Sequence, residues 1–239
     1  MSQKLDQTFG RETVSPEERK RRVRDLFDRV ARRYDLMNDM MSFGIHRLWK
    51  RSFVRGLPRE GLIVDLAGGT GDVAVLAAAG TNRQVVVCDP SLEMMDVGRQ
   101  RHPEEPLAWI GGEGERLPFA DQSVAALTVA FGLRNVTHLD KALAEAHRVL
   151  RPGGQFACLE FSRPWWWFRP FYDLYSFLVI PRLGAWIAEQ PDAYQYLVES
   201  IRRFPDQESF AALLRRAGFV DVRYRNVSAG IACIHRATR

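Results

Sequence analysis

A chain of 239 residues is long enough for one domain with a sizeable core, and its 46% hydrophobic and 26% charged residues exclude disordered and collagen-like proteins. The formal net charge of +5 favours an anionic partner surface, although we expect no nucleic-acid partner. Cys88, Cys158 and Cys233 are far apart and form no CxxC pair, so we expect neither disulfides nor a metal site. The N-terminus lacks the apolar stretch of a signal peptide, and we therefore expect a cytoplasmic protein.

The first sixty residues precede the first predicted strand. Residues 1–16 are polar, so we predict a flexible N-terminal segment there. Helices are predicted for 17–60, because apolar residues have helical spacing over Glu17–Arg33 and again in a second stretch that extends to Leu48. Positive charge is concentrated in Arg19–Arg24. This run predicts a solvated helix face or, alternatively, a contact with a membrane surface or a partner.

From residue 62 onward, apolar runs of strand length alternate with helical patterns, which is typical of a parallel sheet covered on both faces. The predicted strands and helices are, in chain order, Leu62–Leu66 and Ala74–Ala79, Val85–Cys88 and Leu92–Arg101, Ala125–Ala130 and Leu139–Leu150, and the strand Phe156–Phe161. A helix at Gln207–Ala217, closed by Gly218, precedes strands around Val220–Tyr224 and Ile231–His235. The predicted fold class is α/β.

The most apolar stretch, Trp165–Ala188, follows the predicted strand Phe156–Phe161. Charged residues and prolines interrupt it, so we do not expect it to span a bilayer. It contains three consecutive tryptophans, Trp165, Trp166 and Trp167, which cannot all face one core. We expect at least one of them at an interface, either with a lipid surface or with another subunit such as a homodimer partner.

A glycine-rich turn, Gly68-Gly69-Thr70-Gly71, follows the first predicted strand at the edge where doubly wound sheets bind ligands. Its spacing departs from the G-x-G-x-x-G of dinucleotide sites, and Asp65 precedes the glycines. Both features favour S-adenosyl-L-methionine as the cofactor. Asp89, at the end of the second strand, is placed to hold ribose hydroxyls, as it would be in a NAD enzyme. The alternatives are a NAD site and a tight turn without a ligand.

Several segments resemble successive motifs of class I methyltransferases, namely the glycine turn, Glu115–Phe119, Ala130–Val136 and Arg148–Gly154. Others are similar to the ubiquinone/menaquinone biosynthesis C-methyltransferase family, namely Tyr34–Asp39, Ser42–Lys50, Glu160–Ser162 and Tyr194–Leu197. The resemblance extends over nearly the whole chain from about residue 9. It implies a Rossmann-like, doubly wound sheet, mostly parallel with an antiparallel C-terminal strand. It also implies one domain over 17–239, with a helical lid at 162–203 after the fifth strand.

The same resemblance implies S-adenosyl-L-methionine as the cofactor, with contacts at Thr70 and Asp89. It implies that the adenine meets Glu113 and Gly114, where family members commonly carry Asp or Asn followed by Ala. Glu113 is expected to accept a hydrogen bond from the adenine amino group, and Ala130 is expected to form a wall of the site. The implied acceptor is a prenylated quinol. For such an acceptor we expect contact with a membrane surface through the basic N-terminal helix and the Trp-rich lid.

Methylation of an aromatic ring carbon requires a phenolate, and a free phenol titrates near pH 10. We therefore expect a base or a group that stabilises the anion. Arg134 and Asn135 follow the fourth strand, and the resemblance places this turn at the substrate. Arg134 keeps its proton at neutral pH, so we predict that it stabilises the phenolate. The alternative is a salt bridge that ties the turn to a neighbouring helix.

On the second predicted helix, Tyr34 and Asn38 form an i,i+4 pair that we predict to point inward. The alternative for both is helix capping or a solvated face. His46 and His138 are second-rank candidates, because a lone histidine is more often structural than catalytic. Three functions stay open: a quinol C-methyltransferase of ubiquinone or menaquinone synthesis, a methyltransferase for another small molecule, and a non-catalytic subunit of a quinone-biosynthesis complex.

Overall fold

The computed structural model describes residues 8–9, 12–80, 83–170, 174 and 191–239. The strands are β1 Thr8–Phe9, β2 Glu12–Thr13, β3 Leu62–Leu66, β4 Gln84–Asp89, β5 Leu107–Gly111, β6 Val124–Ala130, β7 Leu150–Phe161, β8 Val220–Val227 and β9 Ala232–Thr238. The helices are α1 Pro16–Val30, α2 Tyr34–Ser42, α3 Ile45–Val54, α4 Asp72–Ala78, α5 Leu92–Arg101, α6 Leu139–Val149, α7 Pro191–Arg203 and α8 Gln207–Arg216.

Among the described residues, seven strands form one sheet in the spatial order β5-β4-β3-β6-β7-β9-β8. The five strands from β3 to β7 are parallel, whereas β9 is antiparallel to both β7 and β8. The predicted α/β sheet with an antiparallel C-terminal strand is confirmed. Chain order reverses between the neighbouring strands β3 and β6. At such a reversal the loops after the two strands diverge, and they leave a crevice in which ligands bind.

Helices cover both faces of the sheet because its central strands carry runs of Val, Ile and Leu that are buried on both sides. On one face, Leu143 of α6 and Phe210 of α8 pack in a cluster with Phe156 of β7. On the other face, Phe53 of α3 and Ala74 of α4 pack against the opposite side of the same strands. The two helical layers fix the strand ends from which the site is built.

Two elements differ from the prediction. The second predicted helical stretch is two helices, because Phe43 and Gly44 between α2 and α3 have left-handed φ angles of 49° and 72°. Glycine adopts this region without a steric penalty, so the pair ends one helix and begins the next. Strand β5 was not predicted, although Leu107–Ile110 is a run of apolar residues. The run leads to β6 without a helix between them, so it does not follow the alternation of strands and helices on which the prediction was based.

Part of the segment 1–16, for which we predicted flexibility, forms a short antiparallel pair of β1 with β2. The ring of Phe9 stacks on the ring of Tyr196 in α7, with the ring centroids 4.8 Å apart. Helix α1 then begins at Pro16, where the Ser15 hydroxyl accepts a hydrogen bond from the backbone N–H of Glu18. The contact between Phe9 and Tyr196 therefore holds the β1–β2 pair in place, although the polar composition of this segment does not predict such a contact.

The basic run Arg19–Arg24 is a solvated face only in part, because Arg21 is largely exposed whereas Arg19 is only 1% exposed. Its guanidinium donates hydrogen bonds to oxygen atoms of Thr8, Arg134, Asn135 and Thr137. Three of these acceptors are backbone carbonyls, which a planar group with five N–H donors can reach together. Arg19 thus ties α1 to the turn that follows β6.

The predicted lid, 162–203, lies partly outside the described residues, which omit 171–173 and 175–190. Helix α7 forms its described C-terminal part. Before the gap, Trp166 is 86% exposed, whereas Trp165 and Trp167 are about half exposed and contact each other. None of the helices that the structure describes is long and apolar enough to cross a membrane.

We predict that Arg19→Met lowers the free energy of unfolding by at least about 1.5–3 kcal/mol, because it removes a charged donor from buried oxygen atoms. Arg21→Met is the matched control, since Arg21 lies on the same helix but is largely exposed beside Glu18. Its effect should be small. Urea denaturation of both variants measures the difference, and equal effects would show that the buried contacts of Arg19 contribute nothing.

Candidate active site

Two adjacent cavities lie at the carboxyl ends of the parallel strands, and Phe27, Tyr34 and Phe131 line both of them. The first cavity, of about 130 Å³, is formed by the loops after β3, β4 and β6 under helix α1. The second cavity, of about 360 Å³, is formed mainly by apolar side chains of α1, α2, α3 and α7. A ligand in either cavity would therefore touch residues that also border the other.

The glycine turn after β3 presents its backbone to the first cavity. Gly69 has a φ of 54°, and a Cβ at this position would lie 2.9 Å from Cε of Met94. The Gly69 N–H donates a hydrogen bond of 2.9 Å to Oδ2 of Asp89, and the Ser91 N–H donates one of 2.8 Å to Oδ1. Burial raises the pKa of Asp89 to about 6, against the lowering effect of these two bonds. Asp89 is thus a fixed, buried acceptor at the end of β4.

Asp65 is a buried carboxyl, and one of its two oxygen atoms has no hydrogen-bond partner among the described residues. The Thr128 hydroxyl donates a hydrogen bond of 2.8 Å to Oδ1, whereas Oδ2 is buried without a partner. Burial raises the pKa of Asp65 to about 7. Because a buried polar atom without a partner is costly, and because Asp65 lines the first cavity, Oδ2 is suited to accept a hydrogen bond from a ligand.

The far end of the first cavity is closed by ion pairs between α1 and the loop after β5. Glu113 accepts hydrogen bonds from Lys20 at 2.8 Å and from Arg24 at 3.2 Å. The carboxylate that we expected at the adenine is therefore already engaged by two cations of α1. Gly114 is buried beside it, and a Cβ there would make only ordinary contacts of 3.6 Å with Leu66 and its other neighbours.

The turn after β6 carries Arg134 and Asn135. Arg134 lines the second cavity, is 4% exposed, and forms a 2.9 Å ion pair with Glu160, while its guanidinium also donates to the carbonyl of Phe131. The salt bridge that we considered exists, but it goes to strand β7 and not to a helix. Asn135 lines the first cavity, and its Oδ1 accepts a hydrogen bond of 3.1 Å from the Tyr196 hydroxyl.

Residues 13–239 match the ubiE/COQ5 methyltransferase family. The chain belongs to this family. The ubiquinone/menaquinone biosynthesis C-methyltransferase UbiE of Rubrivivax gelatinosus is 61% identical, over 98% of this chain and 94% of the relative. The protein of the same name from Acidiphilium cryptum is 49% identical, over 97% of this chain and 96% of the relative. A solved SAM-dependent methyltransferase from Thermotoga maritima has the same fold, with a TM-score of 0.65 and 21% identity over 90% of this chain and 98% of its own.

The family makes this chain an S-adenosylmethionine-dependent C-methyltransferase, as predicted, and the first cavity fits that cofactor. Its glycine turn leaves room for close approach of a ligand, Asp89 offers a buried carboxyl at the strand end, and Oδ2 of Asp65 lacks a partner. Other predicted cofactor residues also line this cavity, namely Gly68, Thr70, Glu113, Gly114 and Ala130. A bound cofactor would satisfy the acceptor that the protein leaves open.

Gly71 was predicted to contact the cofactor but does not line the first cavity. Its φ is 84°, and a Cβ would lie 2.7 Å from the ring of Trp109. The glycine is therefore required by the turn into α4 and by the packing of Trp109. Tyr34 and Asn38, predicted to point inward, do line the second cavity.

His46 is a residue of the second cavity that we ranked low. Its Nδ1 lies 2.6 Å from the Ser42 hydroxyl, which itself donates a hydrogen bond to the carbonyl of Asn38. Burial lowers the pKa of His46 to about 4, and the nearby charge of Lys50 adds to this effect. The imidazole is therefore neutral at physiological pH. His138, by contrast, precedes α6 and lines neither cavity.

Sequence reasoning missed the aromatic wall between α3 and the sheet. The rings of Phe131 and Phe161 have centroids 4.6 Å apart, and Trp49 approaches both at 6.3 and 6.5 Å. Tyr196 of α7 was also missed as a cavity residue. The segments that carried the family resemblance contain Trp49, Phe131, Phe161 and Tyr196, so their presence in those motifs was the available signal.

We predict that Asp65→Asn stabilises the cofactor-free protein at pH 8. An aspartate ionises near pH 3.9 in an unfolded chain, whereas the pKa of folded Asp65 is raised to about 7. The folded state therefore binds more protons between these values, and the contribution of Asp65 to stability falls as the pH rises from about 4 to 7. The melting temperature of Asp65→Asn should exceed that of the wild type at pH 8 and match it near pH 4.

The same variant should bind S-adenosylmethionine about 10–100-fold more weakly at pH 8, because a charge-assisted hydrogen bond is lost. Thermal denaturation and calorimetry at the two pH values measure both effects. Asp96→Asn, in an exposed pair with Arg99, is the control and should change neither. A lower melting temperature for Asp65→Asn at pH 8 would mean that the ionised carboxylate stabilises the empty fold.

Proposed function

We propose that this chain transfers the methyl group of S-adenosylmethionine to a ring carbon of a prenylated quinol in the synthesis of ubiquinone, menaquinone or both. The observation that carries the proposal is the second cavity, which is large, apolar and directly adjacent to the cofactor cavity. An apolar cavity suits a quinol ring with the start of its prenyl tail. The names of the relatives at 61% and 49% identity support the same acceptor.

The cofactor supplies a methyl group that is already activated by its positive sulfur, so the chain must align the acceptor carbon and help to ionise a ring hydroxyl. Tyr34 and Asn38 border the second cavity, and we propose that they orient the ring hydroxyls. Asn135 contributes from the first cavity, where Tyr196 holds its side chain. Together these groups would hold the ring against the wall formed by Phe131.

Arg134 is our candidate for stabilising the phenolate. The guanidinium lies at the second cavity, and its Nε is buried without a hydrogen-bond partner among the described residues. Glu160 neutralises part of its charge, and burial raises the pKa of Glu160 while the charge of Arg134 opposes this shift. A phenolate near Arg134 would therefore share a cation that already has a partner. The geometry favours stabilisation by an oriented donor, not by an unpaired charge.

We predict that Glu160→Gln keeps methylation active and moves its pH dependence to lower pH, because Arg134 then lacks a competing anion. Arg134→Gln in the Glu160→Gln background should lower the single-turnover rate by about 10²–10³-fold. Its rate should also continue to rise at pH values where the Glu160→Gln protein has levelled off. Each single variant leaves one buried charge of the pair without its partner, Arg134→Gln a carboxylate and Glu160→Gln a guanidinium, and both should be less stable than the wild type. The rates are therefore compared under conditions in which thermal denaturation shows each variant to be folded.

Single-turnover methylation of a short-tailed quinol across pH, with thermal denaturation of each variant, measures these effects. Calorimetry with S-adenosylmethionine should give the same affinity for both proteins. Identical rates and pH profiles for the single and double variants would remove Arg134 from the chemical step and leave Tyr34 and Asn38 to be tested next.

We further propose that the protein binds a lipid surface through the rim of the second cavity. Phe43 and Ile45, which line this cavity, are 75% and 42% exposed, and Leu48 on the same helix is 61% exposed. On the segment after β7, Phe168 lines the cavity and Trp166 is 86% exposed. A prenylated acceptor resides in a membrane, and an apolar rim around its cavity would let it enter without crossing water.

We predict that Phe43→Ser with Leu48→Ser reduces binding to vesicles of phosphatidylethanolamine and phosphatidylglycerol. Turnover of a long-tailed quinol in these vesicles should fall more than turnover of a short-tailed analogue in solution. The matched control is Leu92→Ser with Val220→Ser, which changes two residues that are 64% and 56% exposed and line neither cavity. Equal loss with both quinols would contradict the proposal, and a dimer that dissociates in the Phe43 variant would assign the rim to a second copy of the chain.

A further inference from the structure

Lys50 is a buried cation in the wall of the cofactor cavity, and the proposed reaction assigns it no role. It lies on α3, is 8% exposed, and lines the first cavity. Its Nζ forms a 2.9 Å hydrogen bond to Oδ2 of Asp72, which is its one hydrogen-bond partner among the described residues. An ammonium group carries three N–H donors, so Lys50 can still donate to another acceptor.

The ion pair with Asp72 does not by itself account for the burial of Lys50. The side chain of Asp72 is 34% exposed, so an exposed lysine could pair with it at lower desolvation cost. Instead α3 directs its cation into the cavity from the side of the glycine turn. A buried ammonium group whose N–H donors are not all hydrogen-bonded is stabilised when an anion binds beside it.

The charges of the first cavity are divided between its two ends. At the end formed by the loop after β5, Lys20 and Arg24 are engaged with Glu113. At the other end lies Asp65, and the positive charge of Lys50 is one of the influences that lower the pKa of this carboxyl against the larger effect of burial. Lys50 thus belongs to the end with the glycine turn and Asp65. That end presents one buried acceptor and one buried cation.

A ligand whose end carries both an ammonium and a carboxylate matches this arrangement. The amino-acid part of S-adenosylmethionine has these two groups on one carbon. We infer that Lys50 binds the α-carboxylate of S-adenosylmethionine, while Oδ2 of Asp65 accepts a hydrogen bond from its α-amino group. Lys50 is then a specificity-determining residue, because it distinguishes the cofactor from adenosyl sulfonium compounds that lack a carboxylate. The inference concerns the cofactor alone and does not depend on the identity of the methyl acceptor.

The test compares S-adenosylmethionine with decarboxylated S-adenosylmethionine, which keeps the sulfonium and the amino group but lacks the carboxylate. Calorimetry on the full chain should show that the wild type prefers the complete cofactor by about 10–100-fold, the range for a charge-assisted hydrogen bond. Lys50→Met should lose this preference, because its affinity for S-adenosylmethionine falls while its affinity for the decarboxylated compound stays within about threefold of the wild-type value.

Two variants separate binding from a structural role. Asp72→Asn removes the ion pair but leaves Lys50 in place, so it should keep the preference for the complete cofactor. Lys20→Met makes the same change of charge at the other end of the cavity, beside Glu113, and should weaken both ligands by the same factor. Circular dichroism and the melting temperature of each variant show that it is folded before its affinities are compared.

Equal weakening of both ligands by Lys50→Met, or loss of the preference in Asp72→Asn, would overturn the inference and leave Lys50 as a structural ion pair between α3 and α4. A wild type that binds neither compound would instead contradict the cofactor assignment. The two failures are therefore distinguishable in one set of titrations.

Discussion

The hydrogen bonds of the buried Arg19 guanidinium hold the two halves of the site together. Helix α1 covers the cofactor cavity, and the turn with Arg134 and Asn135 lies between that cavity and the apolar one. Arg19 is the group that joins them, because it donates to the carbonyl oxygens of both Arg134 and Asn135. Lys20 and Arg24 secure the same helix to Glu113 in the loop after β5. Three cations of α1 thus hold this helix over the cavity.

Burial of charge is the energetic constraint of this site. Asp65 and Asp89 are held where burial raises the pKa of each, and Arg134 and Glu160 form an ion pair with almost no exposure. Such groups weaken an empty fold, because desolvation opposes the charged form. A ligand that brings complementary groups removes part of this cost only when it is bound. Binding is therefore linked to folding, and the cofactor should be a substantial source of the stability of the working enzyme.

The sequence predicted those parts of the structure whose cause is local. Strands such as Leu62–Leu66 are continuous apolar runs, and the glycine turn after this strand needs φ angles that few other residues adopt, so both were found. Strand β5 was missed although Leu107–Ile110 is an apolar run, because no helix follows it before β6 and the run therefore lies outside the alternating pattern. The break at Phe43–Gly44 was missed because apolar spacing continues across it. Local pattern cannot show where two helices replace one.

The side-chain roles were harder to predict, because they depend on partners far apart in the chain. Arg19 binds backbone carbonyls more than a hundred residues away, and backbone acceptors leave no mark in a sequence. Its neighbours in the basic run do pair with carboxylates, so composition alone suggested a solvated face. The family motifs identified Arg134 as a site residue but not its ion pair with Glu160, which requires the register of β6 beside β7.

Phe131 explains why the residues of this turn serve both structure and chemistry. It has a left-handed φ of 58°, a conformation that is strained for a bulky side chain and persists only where the surroundings enforce it. Its N–H donates to the carbonyl of Leu159, and its own carbonyl accepts hydrogen bonds from both Arg134 and Asn135. These bonds hold the ring as a wall common to both cavities. Arg134 and Asn135, which we propose to act on the acceptor, therefore also fix the position of the ring that borders both cavities. One hydrogen-bonded turn thus determines both the alignment of acceptor with donor and the charge beside the acceptor.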